Sequence, residues 1–375
     1  MEKRYRFRIY PTRAQEEQIQ RNFGCVRFVY NYFLAKRMEK YDAGEGIYGY
    51  YDACKDLTAL KRTPGYEWLK EADAHSLQNA LKNMNFAYLE FYRRVRERSG
   101  APGFPKFKSK KESRRSYTSQ AQVGKRVIYI DVERNRIMLP KLGLVECRGL
   151  REVEGRILSA SVAQVASGKY FVSVCCTEYE PEPLPATGKQ IGLHLGIRSL
   201  AVGSNGETFD NERYRERAQK RLARLHRRLS RKPSGSANRE KARLALANAY
   251  ERITNQRSDK LHKLSAQLVR DYDVICVRAD EISKMVKRAP FGYYLTDAAW
   301  GEFIRQLAYK SEWNGRKLVK VQPGFPSAQL CSACGYKNAE QANRSEREWE
   351  CSKCGARHNR AVNAAINTLN EGMKI

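Results

Sequence analysis

The sequence predicts a multidomain α+β protein, in which an antiparallel β-barrel with a helical insertion precedes an α/β domain that a small Cys-rich module interrupts. Three observations support this. Apolar residues recur at helical spacing within residues 11–116, whereas residues 1–10 and 117–183 alternate as strands do. Residues 181–188 (PEPLPATG) form a Pro-rich linker. Beyond it, residues 190–206 predict a strand, a turn and a strand, and short apolar strands then alternate with long helical segments.

The individual elements follow from local patterns. Lys3–Tyr10 alternates basic and apolar residues, and Pro11 and Thr12 end that strand and cap the next helix. The elements expected before the linker are a strand at 3–10, helices at 15–40 and 75–98, a basic loop at 100–111 and barrel strands from 117 to 180. Those expected after it are strands at 190–195, 274–278 and 317–321, a helical hairpin from 213 to 271, and helices at 297–314 and 358–367.

The charge of the chain restricts the class of partner. Its 375 residues carry a net charge of +29, with 70 Lys and Arg against 41 Asp and Glu. This excess favours a polyanionic partner, since each cation set against a phosphate releases counterions, although a ribosome-associated or generally adhesive protein would have a similar charge. No membrane span or signal peptide is visible, so we expect a cytoplasmic, nucleoid-associated protein with no membrane partner, whose ten Cys are mostly reduced thiols.

The Cys spacing gives the most specific signal in the sequence. Cys331 and Cys334 form one C-x2-C pair, Cys351 and Cys354 form another, and 16 residues separate the pairs. Two such pairs supply the four thiolates that close the shell of a structural Zn²⁺ ion. The sequence therefore predicts one structural zinc site, and the other six Cys are expected to be buried apolar side chains.

The segment from Arg213 to Arg243 is strongly basic, with thirteen Lys and Arg and two Glu. A charge run is usually a solvated helix face, but so one-sided an excess favours a phosphate backbone alongside. We expect phosphate contacts without sequence information from Arg221, Arg224, Arg228 and Arg231.

A second group of candidate nucleic-acid contacts lies around the helix at 75–98 and the basic loop. Asn and Gln can read adenine edges, and Lys beside aromatic rings suits backbone contacts, although a solvated polar face fits the amides as well. The candidates are Ser76, Gln78, Asn79 and Asn83 on the helix, Lys106, Lys108 and Lys110 in the loop with Phe104 and Phe107, and Tyr117 and Thr118 at the start of the β-rich region.

Six segments taken together resemble TnpB, the transposon-encoded family of RNA-guided nucleases related to the type V CRISPR effectors. They are FGCVRFVYN at 23–31, FPKFKSK at 104–110, GLHLGIRSLAV at 192–202, WGEFIRQLAYKSEWNG at 300–315, SAQLCSACG at 327–335 and WECSKCGARHNRAVNAAIN at 349–367. The resemblance implies a wedge-like barrel from residues 1–10 and 117–183, a recognition lobe at 11–116, a RuvC/RNase H-like domain at 184–323 and 356–375, and a zinc ribbon at 324–355.

The same resemblance places the catalytic carboxylates at positions where this chain has other residues. The Asp of the first strand is His194, the Glu after the apolar strand is Arg278, and the last metal-binding Asp is Ala361, with Asn359 replacing a further Asp. Two-metal cleavage needs carboxylate oxygens, and imidazole, guanidinium and methyl groups are poor or impossible Mg²⁺ ligands. Asp280 and Glu281 are the nearest possible substitutes, but neither can replace the acid missing at Arg278 without a register slip, and the other two positions would remain empty. Arg278 would fill the metal site as an internal counter-charge or hold a DNA phosphate.

The resulting interpretation is a chain resembling the nuclease-dead TnpB-like repressors, catalytically degenerate and without catalytic Mg²⁺. We expect a monomer per transposon-derived guide RNA, which pairs with one strand of double-stranded target DNA as an RNA–DNA heteroduplex, next to a short flanking motif. Occupancy of a promoter would then block RNA polymerase. The alternatives are an RNA-guided endonuclease with unorthodox metal ligands and a protein that only binds or processes its RNA.

Overall fold

The structure is a computed structural model, and it describes residues 1–98, 101–111, 114–122, 124, 127–278, 292–338 and 347–375. The chain has a mixed α/β fold that divides into two compact units. Unit 1 is Met1–Glu180 and unit 2 is Pro181–Ile375. Within the described ranges, no helix is long and apolar enough to cross a bilayer.

Unit 1 combines a helical segment with an antiparallel sheet. Its helices are α1 (Arg13–Asp42), α2 (Tyr50–Leu60) and α3 (Ala74–Glu97), with a 3₁₀ turn at Glu67–Glu71. Its strands are β1 (Lys3–Tyr10), β2 (Arg115–Gln120), β3 (Tyr129–Asp131), β4 (Arg136–Leu139), β5 (Gly143–Arg148), β6 (Arg156–Gln164) and β7 (Tyr170–Thr177).

The seven strands lie in the order β2-β6-β7-β1-β5-β4-β3, and every neighbouring pair is antiparallel. As the sequence predicts, the first strand belongs to this sheet, where it pairs with β7 and β5. Closure of the strands into a barrel stays a prediction.

Helix α1 begins where the sequence predicts. Thr12 is the N-cap: its Oγ1 accepts from the N–H of Gln15 at 3.4 Å, and the Gln15 side chain accepts from the N–H of Thr12 at 3.0 Å. Phe33 and Ile19 of α1 are fully buried, as are Leu77 and Leu81 of α3, and these side chains share one core with the sheet. Helices and sheet of unit 1 thus fold around a common apolar centre.

Unit 2 is built from a second sheet, covering helices and the Cys module. Its strands are β8 (Gln190–Leu195), β9 (Ser199–Gly203), β10 (Thr208–Asp210), β11 (Val274–Arg278), β12 (Lys317–Val321), β13 (Glu348–Glu350) and β14 (Arg357–Asn359). Its helices are α4 (Tyr214–Arg217), α5 (Gln219–Ser230), α6 (Ala237–Asp271), α7 (Gly292–Ala298), α8 (Trp300–Trp313) and α9 (Arg360–Gly372).

The larger sheet has the order β10-β9-β8-β11-β12. Strands β8, β9 and β10 form an antiparallel meander, whereas β11 runs parallel to both β8 and β12. The carboxyl ends of β8 and β11 therefore lie side by side at one edge of the sheet, where open α/β sheets commonly place their sites.

The alternating sequence of β8 predicts one buried face, but Ile191, Gly192 and Leu193 are all buried. The reason is α9, which packs directly over β8. A Cβ on Gly192 would lie 2.1 Å from the carbonyl oxygen of Ala365. Gly192 is thus required for the close approach of helix and strand.

Two predicted helices have different limits in the structure. The predicted helix at 297–314 is divided, because Ala299 adopts a left-handed conformation with φ 51° between α7 and α8. The predicted helix at 358–367 begins later: His358 lies in β14, paired with Trp349, and Asn359 caps α9.

Candidate nucleic-acid interface and metal site

In unit 1 a groove of about 380 Å³ lies between α1, the start of α3, the basic loop and β2. It brings together seven of the predicted contacts: Ser76, Asn79, Asn83, Lys108, Lys110, Tyr117 and Thr118. These residues are up to 42 positions apart in sequence. Their convergence is a consequence of the fold.

The basic loop is fixed in this groove by Asn31 of α1. The Asn31 side chain accepts from the N–H of Lys108 at 2.8 Å and donates to the carbonyl of the same residue at 2.9 Å. The Lys108 ammonium lies 3.8 Å from the centroid of the Tyr30 ring. Burial lowers the pKa of Lys108. The groove thus holds a cation that is partly desolvated before any phosphate arrives.

The polar residues of α3 differ in what they offer to a ligand. Asn79 donates to the carbonyl of Thr118 at 2.8 Å, so this amide links α3 to β2. Asn83 is exposed at the groove. Ser76 was expected on a polar face, but it is 1% exposed, and its N–H and Oγ donate to Asp73, which caps the helix. Asn83 is therefore better placed than Ser76 to reach a base edge.

Tyr117 is also more structural than expected. It is 3% exposed and its ring packs against Phe23 of α1, with 5.9 Å between the ring centroids. Burial raises the pKa of this phenol. Its neighbour Thr118 is half-buried, and its Oγ1 lies 2.7 Å from the Oγ of Ser161 on β6. Tyr117 forms the floor of the groove, since β2 turns it towards the core.

Two predicted contacts lie outside this groove and three cations in it were not predicted. Gln78 lines a neighbouring pocket, and Lys106 is exposed in the loop. Arg27, Arg114 and Arg115 line the groove. The pair at 114 and 115 continues the basic loop, which is a signal that the sequence offered. Arg27 lies on α1, and its position depends on how that helix packs.

The predicted basic hairpin has an apolar side and a cationic side. Leu222 of α5 is buried, and Leu225 and Leu229 pack beside it against α6. The four predicted contacts are all exposed, and within the described ranges none has a carboxylate oxygen within 4.0 Å: Arg221, Arg224, Arg228 and Arg231. This unpaired cationic face can accept a polyanion without first breaking ion pairs.

The four Cys converge as a metal site requires. Their Sγ atoms all lie within 4.8 Å of one another, with 3.7 Å between Cys331 and Cys354 and 3.7 Å between Cys334 and Cys351. A tetrahedron with Zn–S bonds of about 2.3 Å has S–S edges of about 3.8 Å. The donor set and its spacing therefore fit structural zinc.

The four thiols influence one another's ionisation, so the pKa of Cys351 is lowered while the pKa values of Cys331 and Cys354 are raised. Desolvation opposes ionisation of Cys351, but the N–H groups of Cys354 and Lys353 outweigh it, and the pKa of Cys351 is lowered to about 7. His358 is a further group at the site, with its Nε2 3.0 Å from the Sγ of Cys331. Sequence reasoning assigned no role to this side chain.

Helix α9 holds the segment that leads into the first Cys pair. Asn363 accepts from the N–H of Ser332 at 2.8 Å and donates to the carbonyl of Leu330 at 2.7 Å. One turn later, Asn367 donates to the carbonyls of Ser327 and Leu330 at 2.9 and 2.7 Å. The Cys module and the sheet edge are thus joined through residues 325–332.

Two of the positions that the resemblance assigned to catalysis lie side by side at the edge of the larger sheet. Leu193 pairs with Val277, so the residues that follow, His194 and Arg278, are neighbours at the ends of β8 and β11. Arg278 Nη1 lies 3.4 Å from the carbonyl of Phe325 and 3.5 Å from Oγ of Ser327. These contacts hold the guanidinium against residues 325–327, and both roles considered for it, an internal counter-charge and a phosphate contact, stay predictions.

The third position, Ala361, is half-buried in the first turn of α9, where the Asn359 side chain accepts from its N–H at 3.1 Å. Asn359 therefore acts as a helix cap. Across the described part of the chain, the four Cys are the one set of three or more His, Cys, Asp or Glu side chains that could hold a metal ion. The substitutes considered above, Asp280 and Glu281, lie outside the described residues.

Two of the relatives that match over almost the whole chain are 31% or more identical to it. A protein of Streptomyces pristinaespiralis named "Putative RNA-guided DNA endonuclease" is 35% identical, and the match covers 98% of this chain and 89% of the relative. The Escherichia coli (strain K12) protein InsQ has the same descriptive name and is 31% identical over 98% of this chain and 92% of its own.

These names contradict the prediction that the chain is not an enzyme, because they point to nuclease activity. That prediction assigned the family's catalytic roles to single aligned positions of this chain. A two-metal site needs carboxylates at suitable points in space, and residues at neighbouring sequence positions can supply them. The replacements at His194, Arg278 and Ala361 therefore do not establish degeneracy.

Family and structure comparisons agree with these relatives. Residues 300–368 match the Cas12f1-like TNB domain, residues 1–46 a helix-turn-helix domain and residues 173–289 the "Probable transposase" family of IS605 OrfB type. The fold is similar to the mini-RNA-guided endonuclease CRISPR-Cas_phi3, with a TM-score of 0.51 and 9% identity over 100% of this chain and 92% of the other. Given the 35% identity to its Streptomyces relative over nearly its full length, the chain belongs to the TnpB (IS605 OrfB) family.

Proposed function

We propose that this protein binds double-stranded DNA under the direction of a guide RNA and that its occupancy of a promoter represses transcription. The names of its relatives support RNA-guided action on DNA. In such systems base pairing supplies sequence specificity, while the protein reads a short flanking motif and the shape of the heteroduplex. Occupancy precedes any cleavage and does not depend on it.

The groove in unit 1 is the observation that carries this proposal. It combines an exposed amide at Asn83 with cations at Arg27, Lys108 and Lys110. Amides can pair with adenine edges in the major groove, and cations contact the flanking phosphates. This chemistry suits a short duplex motif, which is what a guided protein has to read directly.

The domain plan of the proposal follows the two units. Residues 1–10 and 117–183 would be the wedge-like domain, and residues 11–116 the recognition lobe. Residues 184–323 and 356–375 would be the RuvC-like domain, interrupted by the zinc ribbon at 324–355. The antiparallel meander β10-β9-β8, followed by parallel β11 and β12, supports the RuvC interpretation.

The guide would be a structured RNA derived from the transposon end, with one protein bound per RNA. The exposed arginines of α5 would contact phosphates of the guide or the heteroduplex. Structural zinc bound by the four Cys would keep residues 325–332 in place beside the sheet edge.

A reporter assay tests the proposal. Expression of the protein with its guide should silence a promoter that carries the matching sequence and the flanking motif. Asn83→Ala combined with Lys110→Ala should relieve silencing, whereas Asn370→Ala, an exposed amide on α9, should not. Silencing that persists when the guide is scrambled would show recognition by protein alone and would reject the proposal.

Guided cleavage is the second candidate function, and the names of the relatives favour it. At the positions where the resemblance places the catalytic carboxylates, this chain has His194, Arg278 and Ala361. A catalytic metal would therefore need carboxylates from other positions. Asp280 and Glu281 lie two and three positions after Arg278 in the sequence and are the candidates to test.

This candidate predicts cleavage of guide-matched DNA in Mg²⁺ or Mn²⁺ that chelation stops. Asp280→Asn with Glu281→Gln should abolish cleavage and leave guided binding unchanged. Target DNA that stays intact with the wild-type complex would contradict the second candidate and leave the first unaffected.

A further inference from the structure

A second pocket in unit 1, distinct from the groove beside the basic loop, has aromatic side chains at half of its twelve lining residues. It has a volume of about 530 Å³ and lies between the end of α1, the 43–49 loop, α3 and Phe104. Tyr48 and Tyr88 are buried in its lining, whereas Tyr41 and Tyr92 are exposed, Tyr41 at 75%. Exposed rings in the lining of a pocket provide faces on which a planar ligand can stack.

Arg37 supplies a cation in the lining of this pocket. It is only 7% exposed, its guanidinium carbon lies 3.9 Å from the centroid of the Tyr88 ring, and Nη1 donates to Oδ1 of Asn85 at 3.3 Å. Within the described ranges, no carboxylate oxygen lies within 4.0 Å of this guanidinium. Buried charges are normally paired, so Arg37 indicates an anionic group in the ligand.

Two neighbouring acidic residues are paired with other cations, whereas Asp42, in the pocket lining, has no cation within 4.0 Å among the described residues. Glu45 accepts from Lys40 at 2.6 Å, and Asp56 is 2.7 Å from Lys36 and accepts from the hydroxyl of Tyr48 at 2.6 Å. These contacts fix the 43–49 loop and the Tyr48 ring. The pocket is thus preformed, and its cation is not neutralised by the protein.

We propose that this pocket binds one unstacked nucleotide of the guide RNA, with the base on Tyr41 and Tyr92 and the phosphate directed to Arg37. The proposal rests on the proposed function, which supplies the RNA. Planar stacking surfaces and one buried guanidinium fit a base with its phosphate, and the volume lies in the range of small-molecule sites. Asp42, which also lines the pocket, can accept from an exocyclic amino group.

Adenosine monophosphate is the probe for a calorimetric titration of the RNA-free, full-length protein. Tyr41→Ala with Tyr92→Ala should weaken its binding about fivefold to a hundredfold, because stacking on each ring is lost. Both rings are exposed, so the double variant should fold. Tyr51→Ala is the matched control, since Tyr51 is 79% exposed and lines another pocket. It should bind the nucleotide as the wild type does.

The RNA-loaded protein distinguishes a guide nucleotide from a free nucleotide as the natural occupant. If the guide fills the pocket, loaded protein should bind adenosine monophosphate at least about tenfold more weakly than RNA-free protein. Equal binding by loaded protein would overturn the proposal. Two further results would overturn it: wild-type affinity for the nucleotide in the double variant, and no saturable nucleotide binding to the wild type. Binding of decanoate, an anion with an aliphatic chain, in place of the nucleotide would also overturn it.

The titration of RNA-free protein needs neither guide nor target. A protein that binds its target under guidance but does not bind the nucleotide would reject this inference alone. A protein that binds the nucleotide in this pocket, but copurifies with no guide RNA, would reject the proposed function and with it the guide as occupant.

Discussion

The Cys module and the edge of the larger sheet lie together in unit 2, yet they differ in how their chemistry can be inferred. In the module, the four Sγ atoms lie within 4.8 Å of one another, and two of the pairs are 3.7 Å apart, close to the edge of a zinc–thiolate tetrahedron. At the sheet edge, β8 and β11 set His194 beside Arg278, and neither is a carboxylate. Spacing alone predicts a metal site that is local in sequence, whereas a site assembled from distant strands has to be inferred from family and fold.

Among the variants that test this difference, loss of a zinc ligand should have the largest effect on the structure of unit 2. Structural zinc contributes on the order of 10 kcal/mol to the folding of small modules. Cys351→Ser should reduce bound zinc from one equivalent to nearly none and expose residues 325–375 to protease, without lowering the melting transition of unit 1. Metal analysis with limited proteolysis measures both.

Cys54→Ser is the control for that experiment, because this half-buried thiol lies outside the metal cluster. It should keep one equivalent of zinc. Wild-type protein that carries far less than one equivalent would contradict the assignment of the site.

The link between the two regions is tested at Asn367. Asn367→Ala removes two hydrogen bonds and leaves the carbonyl of Ser327 without its donor, which should cost about 2–3 kcal/mol of unfolding free energy. Hydrogen exchange should increase in residues 325–332. Asn370→Ala, which is exposed on the same helix, should change stability by less than about 0.5 kcal/mol. Equal effects of the two variants would show that Asn367 does not hold the segment.

The packing of α9 on the sheet edge is tested at Gly192. Gly192→Ala forces a Cβ against Ala365 and Leu369, at 2.1 and 2.8 Å, and should destabilise unit 2 by about 1–3 kcal/mol. Gly24→Ala in α1 is the matched control, since its new Cβ meets no atom within 4 Å. It should stabilise unit 1 by about 0.5–1 kcal/mol. Denaturant unfolding measures the free energy of unfolding of both variants. An unchanged value for Gly192→Ala would contradict this packing.

The smallest effect is expected on the exposed face of α5, which lies outside both regions. Variants on this face test whether unit 2 binds nucleic acid through charge alone. Arg221→Gln with Arg224→Gln should weaken binding to every sequence and flatten the salt dependence by about 0.9 per lost duplex contact. Arg243→Gln is the control, because Arg243 is paired with Glu240 at 2.6 Å. An unchanged salt slope in the double variant would show that this face is only solvated.

The features that the sequence predicts well are those with local causes. The Thr12 cap, the apolar strand Val274–Arg278 and the Cys spacing each depend on a few adjacent residues, and all appear in the structure. The errors have tertiary causes. Ser76 and Tyr117 are polar in sequence, but other elements bury them.

The convergence of side chains in the groove between α1, α3, the basic loop and β2 could be predicted only in part. Asn83 and Lys110 belong to recognisable helix and loop patterns, but nothing local places Arg27 of α1 beside them. The aromatic pocket around Arg37 was not predicted, since Tyr41, Tyr88 and Phe104 come from three separate segments. The prediction of catalytic loss was wrong for a related reason, because single positions do not determine which carboxylates can meet at a metal.

Retargeting tests the central claim, RNA-guided DNA binding, most directly. The protein should be purified with its RNA, the guide segment exchanged, and the affinity measured for two duplexes that carry the same flanking motif and differ in target sequence. Preference for the matched duplex should be about a thousandfold and should reverse with the guide. A preference that stays with one duplex after the exchange, or a preference for one target sequence without copurified RNA, would contradict the account.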